Sequence, residues 1–286
     1  MPRTYRKAII SFVIVTATIV SFALFFSHHP EVGRELRHTP PARLAILVAL
    51  YAVFTASIGL ILNATVRLCN VTIPRRESML ITMYSAIINF FGPLQSGPAF
   101  RAAYLKKKYD VSLKLYGLAT LGYYIAYGLI NGIFLLAGWS LWVLALIPLG
   151  LLSARFILPL LPIKSLQKLN LKAWSYLCIA TALQVGLVSV IFYLELHGIS
   201  HSISIRQAII YSGAANLALF VSLTPGAIGF RESFLFFSQR LHHIPSDIIV
   251  SANILDRTAY ISMLLIITVY LFASHTRSRL LAITKK

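Results

Sequence analysis

Two adjacent charged residues, Arg231 and Glu232, stand inside an apolar run that reads SLTPGAIGFRESFLFF. The residues just ahead of them that break a helix are Pro225, Gly226 and Gly229. A helix that restarts after Pro-Gly has unpaired N–H groups and the positive end of its dipole, and such ends bind anions such as phosphate. The guanidinium of Arg231 adds a planar fork of donors suited to phosphate oxygens. Neighbours in a helix point apart, so one of Arg231 and Glu232 can face a substrate while the other meets a protein partner. Glu232 either serves a cationic head group or balances an arginine. The alternative for both residues is a solvated pair at the outer interface.

A second adjacent pair, Asp256 and Arg257, lies about ten residues into the last apolar run. Ionisable residues inside a membrane span are functional by default and need partners. One interpretation is a network with Glu232 and Arg231 that switches access to a bound head group. The alternative is a structural pair that locks the last helix.

The elements that position these residues belong to a membrane protein. Of the 286 residues, 58% are hydrophobic and only 12% are charged, which excludes a soluble globular domain. The ten-residue alternation of a membrane barrel is missing, so the predicted fold is all-α and polytopic, with residues 1–286 forming one transmembrane domain. The net charge of +18 lies in the loops, where it indicates topology and anionic lipid rather than nucleic acid.

Six apolar runs are long enough to span a bilayer, and two further runs are broken by Pro and Gly. The predicted spans lie near 8–27, 42–64, 112–137, 139–160, 172–194 and 247–273, and the broken runs near 78–105 and 207–238. If each broken run leaves on the face where it entered, most Lys and Arg fall on one side, and most acids, including Glu195, fall on the other. The positive-inside rule then predicts a bacterial inner-membrane protein with both termini cytoplasmic and two oppositely facing re-entrant hairpins.

The two broken runs resemble each other. The first, YSAIINFFGPLQSGPAFRAAYL, matches YSGAANLALFVSLTPGAIGFRESFL with a short gap, pairing Asn89 with Asn216 and Arg101 with Arg231. Paired broken segments in inverted halves point to a transporter's central site. We therefore expect Arg101 and the turn at Pro93 to receive a head group from one face, as Arg231 does from the other. The alternatives are a topogenic charge for Arg101 and helix–helix hydrogen bonding for the two asparagines.

Two patterns in the third span predict packing rather than chemistry. Tyr123, Tyr124 and Tyr127 form an aromatic stripe. Gly128 and Gly132 form a GxxxG step that would let another helix approach closely.

Three segments together resemble one known family. TPGAIGFRES is similar to the PGGxGxRE motif of the transmembrane flippase domain of lysylphosphatidylglycerol synthases, with Ala227 where the second Gly is usual. NFFGPLQSGPAFRAAYLKKKYDVS and LDRTAY resemble two further blocks of that family. The resemblance implies lipid translocation, in the best-known case of aminoacylated phosphatidylglycerol. We expect a stand-alone member that does not make that lipid itself, because a soluble aminoacyl-transferase domain is missing.

The sequence thus predicts a flippase for an anionic, phosphate-bearing lipid of phospho- or polyprenyl type. The alternatives are an ion-coupled transporter of a small anion and an accessory scaffold for a membrane glycosyltransferase. Catalytic motifs are missing, so we expect no enzyme activity and no cofactor. A metal site at His28-His29 or His242-His243 is not expected, because adjacent residues rarely converge on one ion. The expected partners are anionic membrane lipids, a membrane glycosyltransferase in the scaffold alternative, and further copies of the chain if it forms oligomers; nucleic acid is not expected.

Overall fold

The computed structural model describes residues 39–91, 96–147, 171–221 and 230–283, with isolated positions before residue 39 and at residue 150. Within these ranges the chain is helical and contains no strand, so the predicted all-α class is confirmed. The helices are α1 (Pro41–Leu68), α2 (Arg75–Phe91), α3 (Ser96–Tyr109), α4 (Leu113–Leu136), α5 (Leu171–Ile199), α6 (Ile205–Val221), α7 (Phe230–Phe237), α8 (Gln239–His242) and α9 (Ser246–Ile283). Leu141–Ala145 forms a short 3-10 helix.

Four of these helices are long and apolar enough to cross a membrane. They are Pro41–Leu68, Leu113–Leu136, Lys172–Ile199 and Ser246–Ser274. They coincide with four of the six predicted spans, and large apolar side chains such as Leu129 and Val269 are more than 60% exposed on their outer faces, as a lipid-facing surface requires. The protein is therefore a multi-pass membrane protein. The predicted span at 8–27 lies outside the described residues apart from isolated positions, and beyond residue 147 the span at 139–160 lies outside them apart from residue 150.

Helix α5 is the centre of the bundle. It packs against α1, α4 and α9, and α1 also contacts α9 and α4. One core cluster joins Leu47 of α1, Ile191 of α5, and Leu255 and Ala259 of α9, all of them almost fully buried. The four spanning helices therefore form one packed frame, on which the shorter helices lie.

Helices α2 and α3 form an antiparallel pair, here called the first hairpin. At its open end Glu77 of α2 accepts hydrogen bonds from Tyr104 (2.6 Å) and Tyr109 (2.5 Å) of α3. At its closed end the Gly97 N–H donates to the Asn89 side chain (3.2 Å). The chain therefore returns to the level from which it started.

Helices α6, α7 and α8 form the second hairpin. At its open end the Gln207 side chain of α6 reaches the His243 carbonyl (3.5 Å), and the rings of Tyr211 and His242 lie 5.6 Å apart, edge to face. Leu235 of α7 is fully buried in the same cluster as Tyr211. Residues 222–229, which join α6 to α7, lie outside the described residues.

The open ends of the two hairpins lie at opposite ends of the frame, as their contacts with α4 show. Tyr116, near the start of α4, packs in one cluster with Ile81 and Leu105 of the first hairpin. Arg206 of the second hairpin donates to the carbonyls of Ala137 and Gly138, just past the end of α4. A helix of 24 residues is about 36 Å long, so this length separates the two open ends.

Close approach between α4 and the second hairpin occurs at a different glycine from the one predicted. A Cβ at Gly132, in the GxxxG step, would meet none of the described residues within 4 Å. A Cβ at Gly213 of α6 would lie 2.8 Å from the Asn131 carbonyl oxygen and 3.0 Å from the Leu135 nitrogen. The GxxxG prediction is therefore wrong at Gly132, because the small residue that allows the close approach is Gly213 on α6 and not Gly132 on α4.

Candidate functional site

A cavity of about 270 Å³ lies between the frame and the two hairpins. Its lining includes residues from both hairpins and from α1, α4, α5 and α9. Six of the ten predicted site residues line it: Asn89, Arg101, Asn216, Arg231, Asp256 and Arg257. Glu232 contacts the cavity through Arg257, whereas Pro225, Gly226 and Gly229, together with Pro93 of the first turn, lie outside the described residues.

The two adjacent charged pairs are joined across helices. Arg231 Nη1 of α7 lies 2.5 Å from Asp256 Oδ2 of α9, with the two side chains 12% and 8% exposed. Arg257 of α9 pairs with Glu232 of α7. Since neighbours in a helix point apart, each member of a pair meets the opposite charge on the other helix rather than its own neighbour.

Arg231 keeps unused donors after pairing with Asp256. Its Nε and Nη2 atoms are buried without a hydrogen-bond partner in the described part of the chain. Its guanidinium carbon lies 4.9 Å from the centre of the Phe192 ring, a cation–π contact that holds the fork in place. Buried donors are normally satisfied, so these two N–H groups can still form hydrogen bonds with an acceptor that the described residues do not supply.

Arg101 is the second cation with an unused donor. It is half-buried on α3, and its Nε has no hydrogen-bond partner among the described residues. Its electrostatic neighbours are Tyr116, Tyr123 and Tyr124 of α4, and no carboxylate of the described residues pairs with it. An arginine without an acid keeps its full charge available to a bound anion.

The tyrosine stripe of α4 forms one wall of the cavity, a position that the packing prediction did not include. Tyr123, Tyr124 and Tyr127 all line it, and the Tyr123 hydroxyl donates to Gln184 of α5 (3.0 Å). Aromatic rings with hydroxyl groups give a wall that is apolar along its length and polar at defined points.

The two asparagines of the repeat line the cavity but bind different partners. Asn89 is exposed and accepts from the Gly97 N–H across the break of the first hairpin. Asn216 is buried and donates to Asn131 of α4 (2.9 Å). The helix–helix role predicted as the alternative is therefore present at Asn216, alongside its place in the cavity wall.

The other paired positions of the repeat agree in part. Leu105 and Leu235 are both fully buried, and Ser85 and Ser212 are both buried. Tyr84 is 38% exposed, however, while its counterpart Tyr211 is 1% exposed. The two hairpins thus match in the burial of these serines and leucines and differ in the burial of the paired tyrosines.

Sequence reasoning missed Glu195, which it placed among the acids of the outer loops. Glu195 is 0% exposed, within α5, and its Oε1 lies 3.4 Å from the Tyr51 hydroxyl. Tyr51 also hydrogen bonds to Asp256, so Glu195 joins the charged network from a third helix. The predicted span ended at residue 194, but α5 continues to Ile199. The signal for this residue was an acid followed by Leu196 and Ile199, two apolar residues within one further helical turn.

The arrangement in the described part of the chain offers charged donors and acceptors suited to an anion. Arg231, Arg257 and three carboxylates form the network, and Arg101 lines the same cavity, within walls of aromatic residues. No three His, Cys, Asp or Glu side chains converge as metal ligands within the described residues. The chemistry on offer is therefore charge recognition.

Comparison with known proteins gives a family. No curated protein is similar enough to this chain to be matched with it. The family described as lysylphosphatidylglycerol synthase TM region matches residues 8–268, a stretch that contains both hairpins and all the cavity residues named above. The protein therefore belongs to the lysylphosphatidylglycerol synthase transmembrane-region family.

Proposed function

We propose that the protein is a translocase that moves an anionic, phosphate-bearing lipid between the leaflets of the bacterial inner membrane. The observation that supports this most directly is the set of unused arginine donors at the cavity. Arg101 comes from the first hairpin and Arg231 from the second, and both keep N–H groups without partners in the described residues. Guanidinium donors form bidentate hydrogen bonds with phosphate, so two of them at one cavity suit a phosphodiester.

The proposed topology has six spans and two re-entrant hairpins in an inverted repeat, with both termini cytoplasmic. Its support is that the open ends of the hairpins lie at opposite ends of α4, while Asn89, Arg101, Asn216 and Arg231, near their closed ends, line one cavity. In this arrangement the first hairpin enters from the cytoplasmic face and the second from the outer face. Each leaflet therefore has its own arginine leading to the same central space.

The head group is proposed to pass from one arginine to the other. Arg101 pairs with no acid of the described residues, so it would bind a phosphate arriving from the inner leaflet without breaking an ion pair seen there. Arg231, in contrast, already forms an ion pair with Asp256. A phosphate that hydrogen bonds to Nε and Nη2 would compete with the Asp256 carboxylate for the guanidinium. The Arg257–Glu232 ion pair is formed by the residues adjacent to Asp256 and Arg231, so the charge of a bound phosphate acts on it as well. In this proposal the rearrangement of the two ion pairs switches access of the head group to the cavity. Backbone N–H groups at the turns near Pro93 and Pro225 are proposed as further donors.

A small inorganic anion is the second candidate substrate, because the cavity volume alone does not require a lipid. At about 270 Å³ the cavity is slightly smaller than typical small-molecule pockets of roughly 300–1,000 Å³. That size suits either a free anion or a head group whose acyl chains stay in the bilayer. We favour the lipid because of the charge-neutral aromatic walls provided by Phe54, Phe90 and Phe192.

The test uses proteoliposomes with phosphatidylglycerol labelled on its head group. Wild-type protein should speed the exchange of the label between leaflets, and Arg101→Gln should slow it about 10- to 150-fold, the loss of about 1.5–3 kcal/mol expected for a charged hydrogen bond. Lys107→Gln is the matched control, since Lys107 lies on the same helix but is exposed. Wild-type protein that is folded yet exchanges no anionic lipid would refute the translocase. Uptake of phosphate or sulfate in that same preparation would support the small-anion transporter.

The topology has a separate test. Cysteines replacing Lys107 and His243, which lie at the open ends of the first and second hairpins, should react with a membrane-impermeant reagent from opposite sides of the membrane. Labelling of both from one side would contradict the inverted arrangement, whatever the transport assay gives.

A further inference from the structure

Glu195 is the most deeply buried acid of the described residues, and it lacks the cation that the other buried acids have. Its side chain is 0% exposed, and Oε2 has no hydrogen-bond partner in the described part of the chain. Asp256 pairs with Arg231 and Glu232 with Arg257, whereas no ion pair among the described residues reaches Glu195. An ionised carboxylate in such surroundings is strongly disfavoured, and the group normally takes up a proton instead.

The hydroxyl of Tyr51 points to the same conclusion through its hydrogen bonds. It lies between two carboxylates, hydrogen bonded to Asp256 and 3.4 Å from Glu195 Oε1. A hydroxyl has only one proton to donate, and that proton serves Asp256 at the closer contact. A proton on Glu195 completes the chain, because its own O–H then donates to the Tyr51 oxygen. If Glu195 and Asp256 were both ionised, the single hydroxyl proton of Tyr51 could serve only one of them, and the other contact would have no proton between its two oxygens.

We propose that Glu195 is a proton-binding site that couples protonation to the binding of the anion. The groups around it come from each neighbouring element: Tyr51 on α1, Tyr211 on α6, Arg231 on α7 and Asp256 on α9, with Tyr127 of α4 next to Arg231. Of these, Arg231 is a cation that also offers donors to the cavity. Glu195 and an anion in the cavity therefore act on one guanidinium. This inference rests on the proposed function and names what accompanies the substrate.

The charges of the network give the sign of the coupling. Arg231 and Arg257 are balanced by Asp256 and Glu232, and Arg101 at the same cavity pairs with no carboxylate of the described residues, which leaves one positive charge while Glu195 is neutral. Loss of the proton from Glu195 cancels that charge. A monoanionic phosphodiester therefore binds best when Glu195 carries its proton, and by reciprocity the bound phosphodiester holds the proton in place. The two move together without net charge.

The first measurement needs no lipid. Infrared difference spectroscopy of the purified protein between neutral and alkaline pH should show the carbonyl band of a buried protonated carboxyl, and Glu195→Gln should remove that band. Asp247→Asn is the matched control, because Asp247 is an exposed acid at the start of α9. A band that persists in Glu195→Gln overturns the assignment of the proton to Glu195.

The second measurement follows binding of a soluble short-chain phosphatidylglycerol as a function of pH. Above the pH at which Glu195 loses its proton, wild-type affinity should fall about tenfold per pH unit, as one linked proton requires. Glu195→Gln, whose side chain is always neutral, should bind tightly at every pH, with a melting temperature that shows it is folded. Equal pH dependence in the two proteins overturns the coupling while leaving the translocase intact. Absence of binding at every pH refutes the proposed function, and the infrared result then shows whether the proton site exists without it.

Discussion

The Arg231–Asp256 pair allows a quantitative prediction about stability. Both side chains are nearly buried, at 12% and 8% exposure, and the two charged atoms lie 2.5 Å apart. Asp256→Asn keeps the shape of the side chain but leaves the Arg231 guanidinium as a buried cation without its carboxylate. Breaking a buried pair by removing one partner costs about 3–5 kcal/mol. Asp256 also binds Tyr51, which places the expected loss toward the upper end of that range.

The assay is thermal unfolding of purified variants in one detergent, arranged as a double-mutant cycle. At roughly 2–4 °C per kcal/mol, Asp256→Asn should lower the melting temperature by about 6–20 °C. Arg231→Gln combined with Asp256→Asn should be more stable than Asp256→Asn alone, because removing both charges leaves neither stranded. The reasoning is refuted if Asp256→Asn unfolds within about 2 °C of wild type, or if the double variant loses the sum of the two single losses.

Three further predictions concern the parts that hold the hairpins. Gly213→Ala should destabilise the protein by about 1–3 kcal/mol, because the new Cβ would meet the backbone of α4. Gly132→Ala should be neutral or slightly stabilising, because none of the described residues lies within 4 Å of its Cβ. Equal melting temperatures for the two variants would contradict the packing described. Burial lowers the pKa of His242, whose Nε2–H donates to the Leu235 carbonyl while Nδ1 accepts from the Ile244 N–H. The folded protein holds the His242 ring in its neutral form, so this contribution to stability is fully present above the ordinary His pKa of about 6.5 and is lost as the pH falls below it. A His242→Gln protein that loses stability in the same way would exclude His242 as the cause. Burial alone would raise the pKa of Glu77, but hydrogen bonds from Lys108, Tyr104 and Tyr109 outweigh it and leave the pKa below its usual value. Glu77→Gln should therefore speed amide exchange in α2 and α3 but not in α9, and unchanged exchange in the first hairpin would show that this cluster is not its clamp.

Sequence patterns identified the two charged pairs because each pattern consists of adjacent residues in an apolar run. Adjacent charges in an apolar run must point apart, and Arg231, Glu232, Asp256 and Arg257 do so by pairing across two helices. Four of the spans were also readable, since hydropathy over some twenty residues is a strong signal. Each of these predictions rests on residues close together in the chain.

What could not be predicted depends on neighbours distant in the sequence. Tyr51 lies 205 residues from Asp256, and nothing in the run around it differs from an ordinary apolar span. Glu195 ended the predicted span because an acid lowers the local hydropathy, and burial by other helices is what keeps it inside. The GxxxG prediction was wrong at Gly132 for a related reason, because close approach depends on which glycine faces a neighbouring helix.

The sequence separations of the cavity contacts have a consequence for how the protein is made. Both ion pairs join residues 25 apart, so α7 and α9 carry matching charges that emerge from the ribosome close together. The Tyr51–Asp256 contact, in contrast, ties the first of the described spans to the last. A chain whose synthesis stops before residue 256 exposes Arg231 to the membrane without its carboxylate and leaves Tyr51 without its acceptor. The contacts of the proposed transport site are therefore complete only after the last described span has been inserted.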